Sequence, residues 1–181
     1  MVAALAAALV ACASSPQVAP VETAIESAFS ARGRLSARRA ADAVAVHYDW
    51  RHSEDSDTFD VATPLGQTVA RMRRDASGVR VERPNEPPVE YRDWTALMQA
   101  VLGAPIPVDG LAYWVQGAAD PRAASAIERD ASGRPEVLRQ QGWEIVYAYN
   151  DGSPRPSRLV MRYPGSEPVE VRIVVDAFEG Q

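Results

Sequence analysis

The chain has 181 residues and contains no lysine; its 19 basic residues are all arginine. That excludes both a phosphate-loop lysine and a Schiff-base lysine. Cysteine occurs once, at Cys12, so no disulfide can form within the chain. The two histidines, His47 and His52, have neither a cysteine nor a third histidine beside them, and no zinc site is expected. There is no Gly-x-Ser-x-Gly elbow and no Gly-x-Gly-x-x-Gly turn, so the common hydrolase nucleophile and the dinucleotide fingerprint are missing. A net charge of −5 leaves no electrostatic footprint for nucleic acid. The long apolar run, residues 2–11, is too short to span a bilayer. Neither a metal nor a cofactor is called for.

What is present is ordinary in amount: 46% hydrophobic and 24% charged residues, the balance of a globular domain large enough to bury a core without staples. Its distribution is more telling. The run "ALAAALVACASS" ends in Leu9-Val10-Ala11-Cys12, the lipobox pattern of an aliphatic residue, a small or aliphatic one, a small one and then Cys. Residues 1–11 therefore read as a signal peptide. No basic residue precedes the apolar run, which predicts a precursor starting upstream. Cys12 would be the lipidated first residue. Ala13, rather than Asp, follows it, and the resemblance of this segment to Gram-negative bacterial lipoproteins implies sorting to the outer membrane. Residues 12–20 form a tether of small residues and proline, and 21–181 form the domain.

Within the domain, Val21, Ile25, Ala28 and Phe29 predict a short amphipathic helix. Period-two alternation follows: Val44, Val46, Tyr48 and Trp50; Phe59 and Val61; Val79 and Val81; between the last two sets "TVARMRR" gives Val69, Ala70 and Met72. Two "DASG" strings, 75–78 and 130–133, read as hairpin turns. Helical spacing interrupts the strands twice. Trp94, Leu97, Met98, Val101 and Leu102 follow a capping Asp93 and stop at Gly103 and Pro105; Leu111, Trp114 and Val115 follow Asp109, read as a second cap. Alternation resumes with Trp143, Ile145, Tyr147 and Tyr149, then Leu159, Met161 and Tyr163, then Val169 to Val175. The expected fold is mainly β: a curved antiparallel sheet of about ten to eleven strands, polar on one face, with short helices over the other.

Aromatic residues concentrate on the apolar face: Trp50, Phe59, Trp94, Trp114, Trp143 and Tyr147. A packed core and a ligand cavity predict the same pattern. The acidic cluster "HSEDSDTFD", with Glu54, Asp55, Asp57 and Asp60, lacks the spacing of a calcium loop and reads as a solvated hairpin loop. Arg71, Arg73 and Arg74 read equally as a headgroup or acidic-partner contact and as a charged strand face. "TPLGQ", 63–67, sets a bare leucine between two turn-formers.

Taken together, the lipobox, "FSARGRLSAR" ahead of the first strand, "VHYDW", "TPLGQT", "LMQAVLGAPIPVDGLAYWVQG" and "LRQQGWEIVYAYND" resemble the outer-membrane lipoprotein receptor family LolB. The resemblance runs from Cys12 to about Val175, with Phe178 where the family has tryptophan. It implies an unclosed antiparallel β-barrel with an α-helical lid, shared with the periplasmic chaperone LolA. It implies a monomer whose apolar interior takes lipoprotein acyl chains from LolA, for release into the outer membrane. On that reading Val44, Val46, Trp50, Phe59, Trp94, Leu97, Met98, Leu111, Trp114, Trp143, Ile145 and Leu159 line the acyl-chain cavity. Pro64, Leu65 and Gly66 form the membrane-insertion loop, with Leu65 acting in release. Two other readings remain open from sequence: a structural or assembly lipoprotein that binds protein partners without a lipid cavity, and an envelope enzyme, although no carboxylate pair is spaced for joint action.

Overall fold

The computed structural model describes residues 24–102 and 106–181. Cys12, the tether and the Gly103 and Pro105 stop signals lie outside the described residues. A first meander comprises β1 (Phe29–Arg39), β2 (Asp42–His52), β3 (Asp57–Ala62), β4 (Thr68–Asp75), β5 (Gly78–Glu82) and β6 (Val89–Tyr91). Helices α1 (Trp94–Leu102) and α2 (Val108–Trp114) follow. A second meander comprises β7 (Ser125–Arg129), β8 (Pro135–Gln140), β9 (Trp143–Tyr149), β10 (Pro156–Tyr163) and β11 (Val169–Gly180).

The 11 strands among the described residues join one sheet in the order β6-β5-β4-β3-β2-β1-β11-β10-β9-β8-β7. The first and last strands meet along a seam, Phe29 opposite Gly180 and Arg39 opposite Val169. That seam splices two up-and-down halves into one curl. β6 and β7 remain as the sheet's two edges, and the chain between them supplies both helices. The barrel is therefore open, and its helical insertion springs from the gap.

Burial alternates along the strands as a one-sided sheet requires. Trp143, Ile145 and Tyr147 are buried in β9, and Leu159 and Met161 in β10. The outer face is a ladder of arginine–carboxylate pairs. Arg51 and Arg71 both reach Asp60, Arg73 lies 3.3 Å from Glu82, Arg80 lies 3.0 Å from Glu90, and Arg162 lies 3.1 Å from Glu170. Exposed pairs of this kind contribute about 0–1 kcal/mol each. They keep the convex face wet and do little for stability.

Three local expectations are corrected. Residues 24–28 form no helix, and Phe29 opens β1. Tertiary contact overrides helical spacing there: Phe29 stacks on Phe178 at 4.9 Å and meets Trp50 edge-on at 4.9 Å. "FSARGRLSAR" is itself the first strand, paired on both sides. Its inner face escaped notice because it is small, and it has to be: a Cβ on Gly33 would sit 2.0 Å from the Val174 carbonyl oxygen. Asp93 caps α1, its Oδ1 accepting the Ala96 N–H at 2.7 Å. Asp109 caps nothing. Pro107 holds the N-cap of α2, and Asp109 lies in the first turn, where its charge favours the helix dipole.

Candidate functional site: a covered apolar interior and an exposed turn

The curl gives the sheet one concave apolar face, and α1 and α2 fill it. Trp50, Trp94, Leu97, Leu111, Trp114, Trp143, Ile145 and Leu159 belong to one buried cluster, with Phe59 and Met98 packed against it. Trp50 stacks on Phe59 at 4.7 Å, and Phe59 meets the edge of Trp94 at 5.4 Å. The sheet and α1 thus share a continuous aromatic contact. Val46 is half-buried, and Val44 is 45% exposed toward the β1–β2 turn. In this arrangement the interior is filled: Ile145, Leu159 and Trp114 are all 0% exposed.

Buried polar side chains pin both helices to the sheet. Asp57, expected in a solvated loop, is 1% exposed. Its carboxylate accepts the indole N–H of Trp50 at 2.9 Å and that of Trp94, at the start of α1, at 3.3 Å. Arg74 Nε donates at 2.6 Å, and His52 Nδ1 lies 2.7 Å away. Burial pushes this carboxyl up. The hydrogen bonds from His52, Trp50 and Arg74 outweigh burial and hold it below the usual carboxylate range. Four donors suit an ionised carboxylate, which has about four acceptor sites.

Gln140, at the end of β8, does the same for α2. Its Oε1 accepts the Trp114 indole N–H at 2.7 Å and the Asp120 N–H at 2.9 Å, and its Nε2 donates to the carbonyls of Asp120 and Ala123. Gln116, just after α2, accepts the Glu26 N–H at 2.9 Å and donates back to the Glu26 carbonyl at 3.0 Å. The sequence marks Asp57 as solvated and gives no sign of Gln116 or Gln140, because nothing local marks a polar residue as buried. The tryptophans that need acceptors were the available signal.

The arginine triplet divides. Arg71 and Arg73 belong to the outer ladder, and Arg74 turns inward to Asp57. An open cleft of about 680 Å³ lies between α2 and the Asp57 cluster, lined by residues such as Glu54, Asp109, Tyr113 and Arg122. Its lining is mixed: Glu54, Asp109 and Arg122 bring charge beside Ile25, Ala112 and Tyr113.

The β3–β4 turn is built differently. Gly66 N–H donates to the Thr63 carbonyl at 2.8 Å, Thr63 N–H donates to the Gln67 carbonyl at 2.8 Å, and Gly66 has φ +84°. This is a three-residue loop closed by a left-handed glycine. Pro64 presets its first residue. Just below it the pairing steps from Val61–Ala70 to Ala62–Thr68, leaving Val69 as an extra residue. Such a bulge bends and re-aims a hairpin. Leu65 projects from the tip, 91% exposed.

The outer membrane lipoprotein LolB family model matches residues 27–178. The chain belongs to the LolB family. An outer-membrane lipoprotein LolB from Thiobacillus denitrificans is 34% identical over 181 residues, covering 99% of this chain and 96% of that protein. One from Cupriavidus metallidurans is 35% identical over 144 residues, covering 75% of this chain and 71% of that protein. The fold also resembles the crystal structure of a LolA-superfamily protein from Nitrosomonas europaea, with a TM-score of 0.51 at 10% identity over 89% of each chain. Membership places the chain among outer-membrane lipoproteins of Gram-negative bacteria, which serve lipoprotein localisation and are not enzymes.

Proposed function

We propose that this LolB-family protein accepts lipoproteins from the periplasmic carrier LolA, holds their acyl chains between the concave sheet and its two helices, and passes them to the outer membrane. The observation behind this reading is the pairing of a continuous apolar interior with one leucine left 91% exposed on a turn. Each acyl methylene removed from water contributes about 0.8 kcal/mol, so a lipoprotein does not leave a membrane unaided and has to pass between apolar sites. Direction then comes from a difference in affinity, with no nucleotide or metal.

The anchor is Cys12, lipidated, and the domain acts as a monomer. Acyl chains enter where Trp94 and Trp114 now lie, so uptake requires α1 and α2 to move off the sheet. Leu65 acts in release: its side chain dips into the acyl boundary while the polar ladder stays in water.

The filled interior favours a second reading, a structural lipoprotein that binds protein partners without holding lipid. One experiment separates the two. LolA loaded with a labelled lipoprotein is mixed with this protein and the label is followed. Transfer of the label supports the carrier reading. Retention on LolA, with no binding of a fluorescent fatty-acid analogue, supports the structural one.

A further inference from the structure

Three tyrosines of the sheet have their hydroxyls pushed up by burial: Tyr48, Tyr147 and Tyr149, the last to about 12. All three therefore stay protonated, and two of them donate. Tyr48 donates to the Val174 carbonyl at 3.2 Å, and Tyr149 donates to the Pro135 carbonyl at 2.8 Å. Tyr147 is the exception. It is 6% exposed, and its buried hydroxyl has no hydrogen-bond partner among the described residues. It stands on the inner face of β9, on the same side as Ile145 and opposite Leu159 of β10.

A buried hydroxyl without a partner is costly, and native structures rarely leave one without a reason. Phenylalanine would fill the same volume at no such cost. The proposed cargo has the matching problem. Its acyl chains end in ester and amide carbonyls, and a carbonyl drawn into an apolar interior loses its water. Each group supplies what the other lacks: the tyrosine donates and the carbonyl accepts.

We infer that the Tyr147 hydroxyl is a binding group for an acyl carbonyl, setting the depth to which a lipoprotein's chains enter the interior and favouring acyl esters and amides over plain hydrocarbon. The inference rests on the carrier reading above. It adds a selection the apolar lining cannot make, since hydrocarbon alone does not tell an ester from an ether.

The test uses two fluorescent probes, a diacylglycerol and its diether analogue, which has the same chains and no carbonyl. The wild-type domain should bind the ester more tightly, by roughly 3- to 10-fold, the ratio one hydrogen bond supplies. Tyr147→Phe should bind both alike, by losing ester affinity and keeping ether affinity. An N-acyl amide probe beside the ester reports which carbonyl is preferred. The melting temperature is the second readout. Tyr147→Phe should leave it unchanged or raise it, because an unpaired hydroxyl is removed. A clear fall would show that the hydroxyl has a partner in the folded chain and would overturn the inference. So would an ester-to-ether ratio that survives the substitution. Failure of the wild type to bind either probe would remove the carrier reading, and this inference with it.

Discussion

Ile145 and Leu65 are both aliphatic residues flanked by strand-forming sequence, yet one is 0% exposed and the other 91%. Burying such a side chain contributes about 1.5–3 kcal/mol. Ile145 makes that contribution to folding, in the layer between the sheet and the helices. Leu65 leaves it unused, on a turn whose geometry is fully determined by Thr63, Pro64, Gly66 and Gln67. The contrast separates apolar surface that holds the protein together from apolar surface kept for something else. The pinned tryptophans lie between these extremes: Trp94 and Trp114 are buried, but single polar side chains fix them.

The largest effect should come from the interior. Ile145→Asp buries an unpaired carboxylate and should cost more than about 4 kcal/mol, enough to unfold a domain of ordinary stability. Denaturant titration reads this directly. A variant with wild-type stability would mean that Ile145 faces water.

Next is the Asp57 pin. Asp57→Ala leaves Arg74 and two indole N–H groups without their acceptor and should cost about 3–5 kcal/mol. The sign of the pH dependence follows from the carboxyl being held low. Its stabilisation is fully present above the unfolded Asp value, about 3.9, and is lost as pH falls from there through the folded value. The stability gap between wild type and Asp57→Asn should therefore shrink as pH falls below about 4. A gap that widens in acid would contradict the assignment.

At the seam, Gly33→Ala drives a methyl toward the Val174 carbonyl and should cost about 1–3 kcal/mol, read as a lowered melting temperature. A neutral result would mean that β1 and β11 separate easily. The smallest effect on stability should come from Leu65→Glu, less than about 0.5 kcal/mol, because the side chain touches almost nothing.

Most of this architecture was readable from period. Strands with large alternating residues, such as β2 and β9, announced themselves, as did α1 through its spacing and Asp93. β1 did not, because Ala31, Gly33 and Ala37 carry too little apolar mass to show alternation. The buried acceptors were missed for a different reason. Asp57 sits in a run of acids that looks solvated, and only the fold brings Trp50, Arg74 and Trp94 to it across three separate elements. An orphaned hydroxyl such as Tyr147 is likewise invisible until every neighbour has been placed. Leu65 was legible because a leucine between Pro64 and Gly66 breaks turn chemistry that its own neighbours satisfy.

On the proposed function, Leu65 acts at the membrane and not in the fold. A two-step assay follows labelled lipoprotein from LolA to Leu65→Glu, then from Leu65→Glu into outer-membrane vesicles. The expected result is uptake at the wild-type level, an unchanged melting temperature and loss of the second step, because a charge at the tip cannot enter the acyl boundary. Loss of the first step with the second intact would contradict the account and place Leu65 on the surface that meets LolA.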